Sequence, residues 1–134
     1  MAGFKSFEEI DAWKLARNLS LKGYNLSAAQ PFLNDYALRD QVRRAAISIS
    51  SNIAEGFERE GNKEFVQFLS IAKASTAEVR SQLYLALDLG YISNEEFEQL
   101  KLEALSVGKT LSGLIKYLKT SELKGSKYSA NVEL

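Results

Sequence analysis

The sequence predicts an all-α protein, an antiparallel up-down-up-down four-helix bundle. Apolar residues recur at spacings of three and four along the chain, and strand-like alternation is absent over any useful length. The single proline, Pro31, can break a helix at only one place. A chain of 134 residues, 46% of them hydrophobic, is long enough for one domain with a core. Four helices of similar length with short connections bury one apolar stripe each by packing against one another.

The first helix is predicted over about residues 7–29. Ser6 followed by Glu9 has the form of a capping box, in which each side chain accepts a hydrogen bond from the other residue's backbone N–H. Pro31 ends the helix, because the residue before a proline is pushed out of helical geometry. The apolar stripe of this helix consists of Phe7, Ile10, Trp13, Ala16 and Leu19.

The second and third helices are predicted over about residues 35–59 and 63–89. Asn34 or Asp35 caps the second helix, Asn62 caps the third, and Gly90 ends the third as a left-handed terminator. The core line of the second helix is Leu38, Val42, Ala46, Ile49, Ile53 and Phe57. That of the third is Phe65, Leu69, Ala72, Thr76, Val79, Leu83 and Ala86.

The fourth helix is predicted over about residues 94–119, and it begins with a second capping box formed by Ser93 and Glu96. Its apolar residues repeat in heptads typical of a coiled coil: Phe97, Leu100, Ala104, Val107, Leu111, Leu114 and Leu118. The apolar period is lost from Ser121 onward. We therefore expect residues 1–120 to form the bundle and 121–134 to form a polar C-terminal tail.

The composition excludes several classes of function. The chain has no cysteine and no histidine, which excludes thiolate metal sites, Ser-His-Asp hydrolases and di-iron bundles built on Glu-x-x-His. We therefore predict no metal, no cofactor and no enzymatic activity. The N-terminus lacks the pattern of a signal peptide, and no apolar segment approaches the ~20 residues of a membrane span. A cytoplasmic protein without membrane contact is expected.

Residues 41–57 combine an apolar face with an unusually polar one. The polar side chains are Arg43, Arg44, Ser48, Asn52 and Glu55. Serine and asparagine are poor choices in the middle of a helix on propensity alone. We interpret these five residues as a polar seam between helices or between subunits, in preference to a catalytic site, because no partner base or metal ligand can be named.

Basic residues suggest a second use of the surface. The 17 basic and 17 acidic residues balance, so nucleic-acid binding would need a local patch. The candidates are Arg39, Arg43 and Arg44, followed by Lys63, Lys73 and Arg80. The favoured alternative for the arginines is salt bridging to Glu55, Glu64 or Glu78. Aromatic residues exceed what a thin bundle readily buries, and they indicate either partial burial or a self-association surface: Phe57, Phe65, Phe68, Tyr84, Tyr91 and Tyr117.

Several segments resemble the signature of one bacterial family. These are residues 41–49 (Gln-Val-Arg-Arg-Ala-Ala-Ile-Ser-Ile), 51–57 (Ser-Asn-Ile-Ala-Glu-Gly-Phe), 12–16, 64–72 and 89–91. Together they resemble the 23S rRNA-intervening-sequence protein family of four-helix bundles, over about residues 7–118. Members commonly carry proline where Ser50 stands, which would kink the helix. Serine there leaves the helix straighter or bends it mildly through back-bonding.

The resemblance implies a ring of identical chains, typically a homopentamer, with no established catalytic activity. A related set, the accessory variability-determinant proteins of retroelements, forms similar pentamers and binds nucleic acid through basic surfaces. We therefore expect a non-enzymatic homo-oligomeric scaffold or adaptor that contacts RNA or DNA. The alternatives are a protein–protein interaction module without nucleic acid, and a helical nuclease or toxin-like domain. The latter is disfavoured because the Arg-x-x-x-x-His arrangement of helical ribonucleases is absent.

Overall fold

The computed structural model describes residues 3–132, with side-chain environments over residues 3–121. The described residues form four α-helices: α1 (Asp11–Ser27), α2 (Tyr36–Glu58), α3 (Asn62–Asp88) and α4 (Asn94–Val132). Single 3-10 turns at Phe7–Glu9 and Phe32–Asn34 precede α1 and α2. Helices adjacent in sequence pack together, and α1 also packs on α4. The predicted all-α four-helix bundle is confirmed.

The interhelical contacts fix the direction of two helix pairs. Ser48 of α2 contacts Ser75 of α3, and Gly56 lies against Phe68. Tyr84 of α3 packs on Phe97 of α4, whereas Thr76 lies beside Gly108. Residue numbers rise on one helix as they fall on its partner, so α2–α3 and α3–α4 are antiparallel.

The core is made of the predicted apolar lines with additions from the connections. Every predicted core residue of α3 is buried, as are those of α2 up to Ile53. Phe7, Trp13, Phe57 and Leu114 are only partly buried and pack against the core from its edge. The sequence patterns did not identify Ile92 or the fully buried Phe32, because both lie in connections between α-helices.

The first helix departs from its prediction. Ile10 leaves helical geometry at φ −77° and ψ 121°, so that α1 begins at Asp11 and ends at Ser27. The Ser6–Glu9 capping box is wrong: Ser6 makes no capping bond, and Glu9 Oε1 accepts from the Lys5 backbone N–H at 2.9 Å. The physical reason is tertiary, since this break accompanies insertion of the Ile10 side chain into the core, where it is 1% exposed.

Three other predicted helix ends are confirmed. Asp35 caps α2 by accepting from the Leu38 N–H at 3.1 Å. Ser93 and Glu96 form the reciprocal box at 2.8 and 3.1 Å. Gly90, at φ +75°, ends α3, where the N–H groups of Gly90 and Tyr91 donate to the carbonyls of Leu87 and Ala86. These two bonds form a Schellman motif.

Two boundaries need correction. Gly61, at φ +90°, is the N-cap of α3 in place of Asn62, which is already helical. A left-handed backbone favours glycine at that position. Helix α4 continues to Val132, beyond the predicted end at 119. Loss of an apolar period does not itself end a helix, and no proline follows Pro31 in the chain. That residues 121–134 form a tail separate from the bundle stays a prediction.

Helix α2 runs without interruption through Ser50. The Ser50 hydroxyl donates to the Ile47 carbonyl at 3.2 Å, which is the back-bonding expected of a mid-helix serine. Within residues 3–132, none of the helices combines the length and the hydrophobicity needed to cross a membrane.

Candidate functional site

Arg43 ties α2 to α1. Its Nε donates to the Ser27 hydroxyl at 2.8 Å, and its guanidinium lies 4.5 Å from the centre of the Tyr24 ring. Ser27 is fully buried and donates in turn to the Gly23 carbonyl at 2.8 Å. Arg43 Nη2 also donates to the Tyr24 carbonyl at 3.5 Å, so Arg43 joins the two helices through two hydrogen bonds and one cation–π interaction.

Ser48 and Asn52 face α3 instead. The hydroxyls of Ser48 and Ser75 are 3.0 Å apart, and Ser75 is 4% exposed. Asn52 Nδ2 donates to the Ser48 carbonyl at 2.7 Å and to its hydroxyl at 3.0 Å. These three side chains hydrogen-bond to one another where α2 and α3 approach closely. Polar groups shielded from water need such partners.

The remaining members of the predicted seam point to solvent. Arg44 is exposed, and so is Glu55, which pairs with Arg59 one turn later on the same helix at 3.1 Å. The structure thus brings Ser48 and Asn52 together and separates them from Arg43, Arg44 and Glu55.

The predicted salt bridges from these arginines to Glu55, Glu64 or Glu78 are wrong. Arg39 pairs with its neighbour Asp40 at 2.9 Å, donates to the Leu33 carbonyl at 3.1 Å and lies 4.8 Å from the Tyr36 ring centre. Arg39 and Arg43 lie on the side of α2 that faces α1 and the preceding turn. Glu64 and Glu78 lie on α3, and Glu55 pairs with Arg59 on α2, so none of these three glutamates pairs with Arg39 or Arg43.

Asp35 and Tyr91 join the beginning of α2 to the end of α3. The Tyr91 hydroxyl donates to Asp35 Oδ2 at 2.8 Å, and the Tyr91 ring stacks on Phe32 at 5.3 Å. The Leu38 backbone N–H and then Tyr91 lower the pKa of Asp35. The same hydrogen bond, followed by desolvation, raises the pKa of Tyr91. This pair has a structural function and offers no titration near neutral pH.

Large apolar side chains are exposed along the outer side of α1 and α2. We define the α1–α2 face by Leu21 (60% exposed), Tyr24 (38%), Tyr36 (64%) and Ile47 (41%). Tyr24 and Ile47 line one open hollow together with Asp40, Arg43 and Arg44. Tyr36 and Ile47 are eleven residues apart, close to three helical turns, and so share one side of α2.

Helix α3 exposes a second apolar stripe. Ile71, Glu78 and Leu85 recur at intervals of seven and are all exposed, the two apolar residues by 51% and 49%. Residues at this spacing lie on one side of a helix. We call these three residues the α3 stripe, and it differs from the α1–α2 face in carrying an acidic group.

The second set of basic residues lies on α3. Lys63 and Lys73 are exposed and Arg80 is half-buried. Arg80 Nε is buried without a hydrogen-bond partner among the described residues. Across the α3–α4 boundary, Lys101 Nζ lies 5.6 Å from the ring centre of Tyr84. Within the described part of the chain, no group of three or more carboxylates could hold a metal ion.

The profile of one protein family, described as 23S rRNA-intervening sequence protein, matches residues 8–113. The chain belongs to this family. That match runs from the turn before α1 to within α4 and includes both exposed apolar surfaces. It confirms the resemblance inferred from residues 41–57 and the accompanying segments.

Solved structures of similar fold exist. One of them is a crystal structure of a protein of unknown function from the S23 ribosomal protein family of Bacteroides thetaiotaomicron VPI-5482. Its TM-score is 0.72 at 21% identity, covering 78% of this chain and 98% of that chain. No curated protein matches the chain.

Three basic residues on α4 were not among the candidates that the sequence suggested. Lys101, Lys109 and Lys116 follow one another on α4 at intervals of eight and seven. That periodicity was visible in the sequence, and combining it with the predicted antiparallel order of α3 and α4 would have related these lysines to Lys73 and Arg80.

Proposed function

We propose that the protein is a non-enzymatic homo-oligomeric scaffold or adaptor, with five copies as the number that the family resemblance implies. The observation that supports this most directly is the α1–α2 face, where four large apolar side chains are exposed and two of them, Tyr24 and Ile47, line one hollow. Burying such side chains against another chain would be favourable, since each loses apolar surface to water.

The chemistry of the α1–α2 face is typical of an interface. Tyr24 and Tyr36 each lie under an arginine, Arg43 and Arg39 respectively. Tyrosine and arginine are enriched in interface cores and among the residues that contribute most binding energy. Each arginine is already held by its tyrosine and hydrogen bonds, so that less side-chain entropy is lost when a partner arrives.

The α3 stripe is a suitable partner for this face on a second copy. Ile71 and Leu85 would meet apolar side chains, and Glu78 between them would meet the cationic hollow lined by Arg43 and Arg44. Two different surfaces of one chain form a head-to-tail contact, which generates a ring when the rotation between copies closes. Complementary charge would fix the register.

Light scattering on a size-exclusion column tests the proposal. Five chains of 14.9 kDa have a mass of about 75 kDa. Ile47→Arg places a charge in the α1–α2 face and should release monomers. Leu102→Arg is the matched control, because Leu102 is 62% exposed on α4, away from both surfaces. A wild-type mass equal to one chain would overturn self-association.

A separate variant tests which surface is the partner. Glu78→Arg should also release monomers, because it would oppose Arg43 and Arg44 across the contact. If Glu78→Arg retains the wild-type mass while Ile47→Arg does not, the head-to-tail arrangement is excluded. Contact with RNA or DNA is a separate expectation, and it concerns a different surface.

A further inference from the structure

The balanced charge of the chain is unevenly distributed. Residues 65–77 of α3 and 104–121 of α4 contain no aspartate or glutamate. These two segments lie side by side, as the contact between Thr76 and Gly108 shows. The charged residues within these two segments are all lysines.

Five basic residues lie on these two helices, and Lys101 is the one that reaches across their boundary, to Tyr84. We define the α3–α4 groove by Lys73, Arg80, Lys101, Lys109 and Lys116. Lys73 and Arg80 are seven residues apart on α3, on either side of Thr76. From Lys101 to Lys116 the α4 lysines span about 22 Å, at ~1.5 Å per residue. The α4 lysines therefore form an elongated cationic row.

These cations are largely free of acidic partners. Among the described residues, none of the five forms an ion pair within 4.0 Å. The pKa of Lys101 is raised, first by a hydrogen bond to Tyr84 and further by the charges of Tyr84 and Glu98, whereas nearby Arg80 opposes the shift. Glu98 is thus the acidic neighbour of Lys101, at one end of the row.

An aromatic ring lies at the same end. Tyr84 is 46% exposed and packs edge-on against Phe97 at 4.6 Å, which holds the ring in place. Lys101 Nζ is 5.6 and 5.7 Å from the centres of these two rings. Sequence-tolerant binding of single strands combines such a cationic track with an aromatic ring on which a base can stack.

We propose that the α3–α4 groove binds single-stranded nucleic acid, with the cations along the phosphates and Tyr84 beneath a base. A single strand is favoured over a duplex because stacking on Tyr84 needs an unpaired base. The groove belongs to one chain and lies apart from the surfaces proposed for self-association. Its occupancy therefore does not depend on the number of copies in the assembly.

The proposal gives a quantitative salt dependence. Each phosphate contact with a single strand contributes a slope of about −0.7 to log K against log salt. Four or five contacts would give a slope of about −3. Removing two lysines should reduce its magnitude by about 1.4, whereas removing the stacking ring should weaken binding without changing the slope.

The test is a fluorescence-anisotropy titration of labelled 12-nucleotide mixed-sequence RNA and DNA between about 50 and 200 mM salt. Lys109→Glu/Lys116→Glu changes two exposed residues and should weaken binding at least tenfold at low salt. Lys5→Glu/Lys14→Glu is the control with the same charge change at exposed positions outside the groove. Tyr84→Ala should weaken binding at least fivefold at constant slope.

Three results would overturn the proposal: no salt-dependent binding of either oligonucleotide by the wild type below millimolar concentration, equal losses in the groove and control variants, or tighter binding of duplex than of single strands. Tighter binding of RNA and tighter binding of DNA would each support the proposal. The ratio of the two affinities reports contact with the 2′-hydroxyl. Circular dichroism and light scattering on each variant separate loss of binding from unfolding and from disassembly.

Discussion

At the scale of single residues, Gly56 determines how closely α2 approaches α3. A Cβ atom placed on Gly56 would lie 2.5 Å from Phe68 Cβ and 3.2 Å from Phe65 Cδ1. Real Cβ atoms do not approach so closely, so any larger residue requires the two helices to move. The sequence marked Gly56 as part of the family signature, but the reason for glycine is visible only with α3 in place.

Gly56→Ala is therefore expected to lower the free energy of unfolding by about 1–3 kcal/mol, the usual cost of overpacking. Gly113 is the matched control, because nothing lies within 4 Å of a Cβ added to it in α4. Gly113→Ala should raise the stability by about 0.5–1 kcal/mol through helix propensity. Urea unfolding of both variants checks this, and a neutral or stabilising Gly56→Ala would contradict the close approach.

Asp35 makes the stability depend on pH in the acid range. Its pKa is lowered in the folded protein from 3.8, first by the Leu38 N–H and then by Tyr91. A group whose folded pKa is depressed contributes stability above its unfolded pKa, and that contribution is lost as pH falls through the folded value. The hydrogen bonds to the Asp35 carboxylate therefore stabilise the protein at neutral pH and fade below about pH 4.

Asp35→Asn should accordingly be less stable than the wild type at pH 7, with a difference that shrinks as pH falls below about 4. Tyr91→Phe should show a smaller difference with the same trend, because it removes one of the two donors. Thermal melts between pH 2.5 and 7 measure both. A difference that stays constant over this range would exclude the carboxylate as its source.

At the scale of the helices, two identical sequence signals had different outcomes. Ser93 and Glu96 form a reciprocal capping box, whereas Ser6 and Glu9 do not. The local pattern is the same in both places. The difference is Ile10, whose extended backbone and buried side chain separate the first 3-10 turn from α1.

Ser93→Ala should therefore cost about 1 kcal/mol of stability, the typical value for loss of an N-cap hydroxyl. Ser6→Ala should cost much less, since its hydroxyl caps nothing. Denaturation midpoints of the two single variants, measured side by side, make the comparison. Equal losses would show that Ser6 caps a helix after all.

The helices were predictable because their apolar period is strong and their ends carry glycine, proline or capping residues. The hydrogen-bond partners of individual side chains were much less predictable. The hydroxyl that accepts from Arg43 belongs to Ser27, sixteen residues earlier on another helix. Which acceptor an arginine reaches depends on how two helices are rotated against each other. Only Ser48 and Asn52, one turn apart on the same helix, met as their spacing suggested.

At the scale of the whole molecule, the net charge of zero does not show how unevenly charge is distributed over the surface. The totals cancel, yet the α3–α4 groove gathers five cations. Sequence shows where acids are missing along each helix, but the two acid-free segments belong to one surface only because α3 and α4 run antiparallel. The antiparallel order of neighbouring helices was itself predicted, so these two inferences could have been combined.

Self-association also has a consequence for thermal stability. If folded chains bind one another and unfolded chains do not, mass action stabilises the folded state as protein concentration rises. The Tm should therefore increase between about 1 and 100 μM for the wild type. It should be independent of concentration for Ile47→Arg. A wild-type Tm that does not move over this range would argue against the ring.

The close approach at Gly56 has a further consequence, for the order of folding. Only residues 59–61 separate α2 from α3, so the helix pair that meets at Gly56 and at Ser48–Ser75 is also joined by a very short loop. Closing a short loop loses little chain entropy, and local contacts form early. We therefore expect the α2–α3 hairpin to form first, and α1 and α4 to pack onto it afterwards.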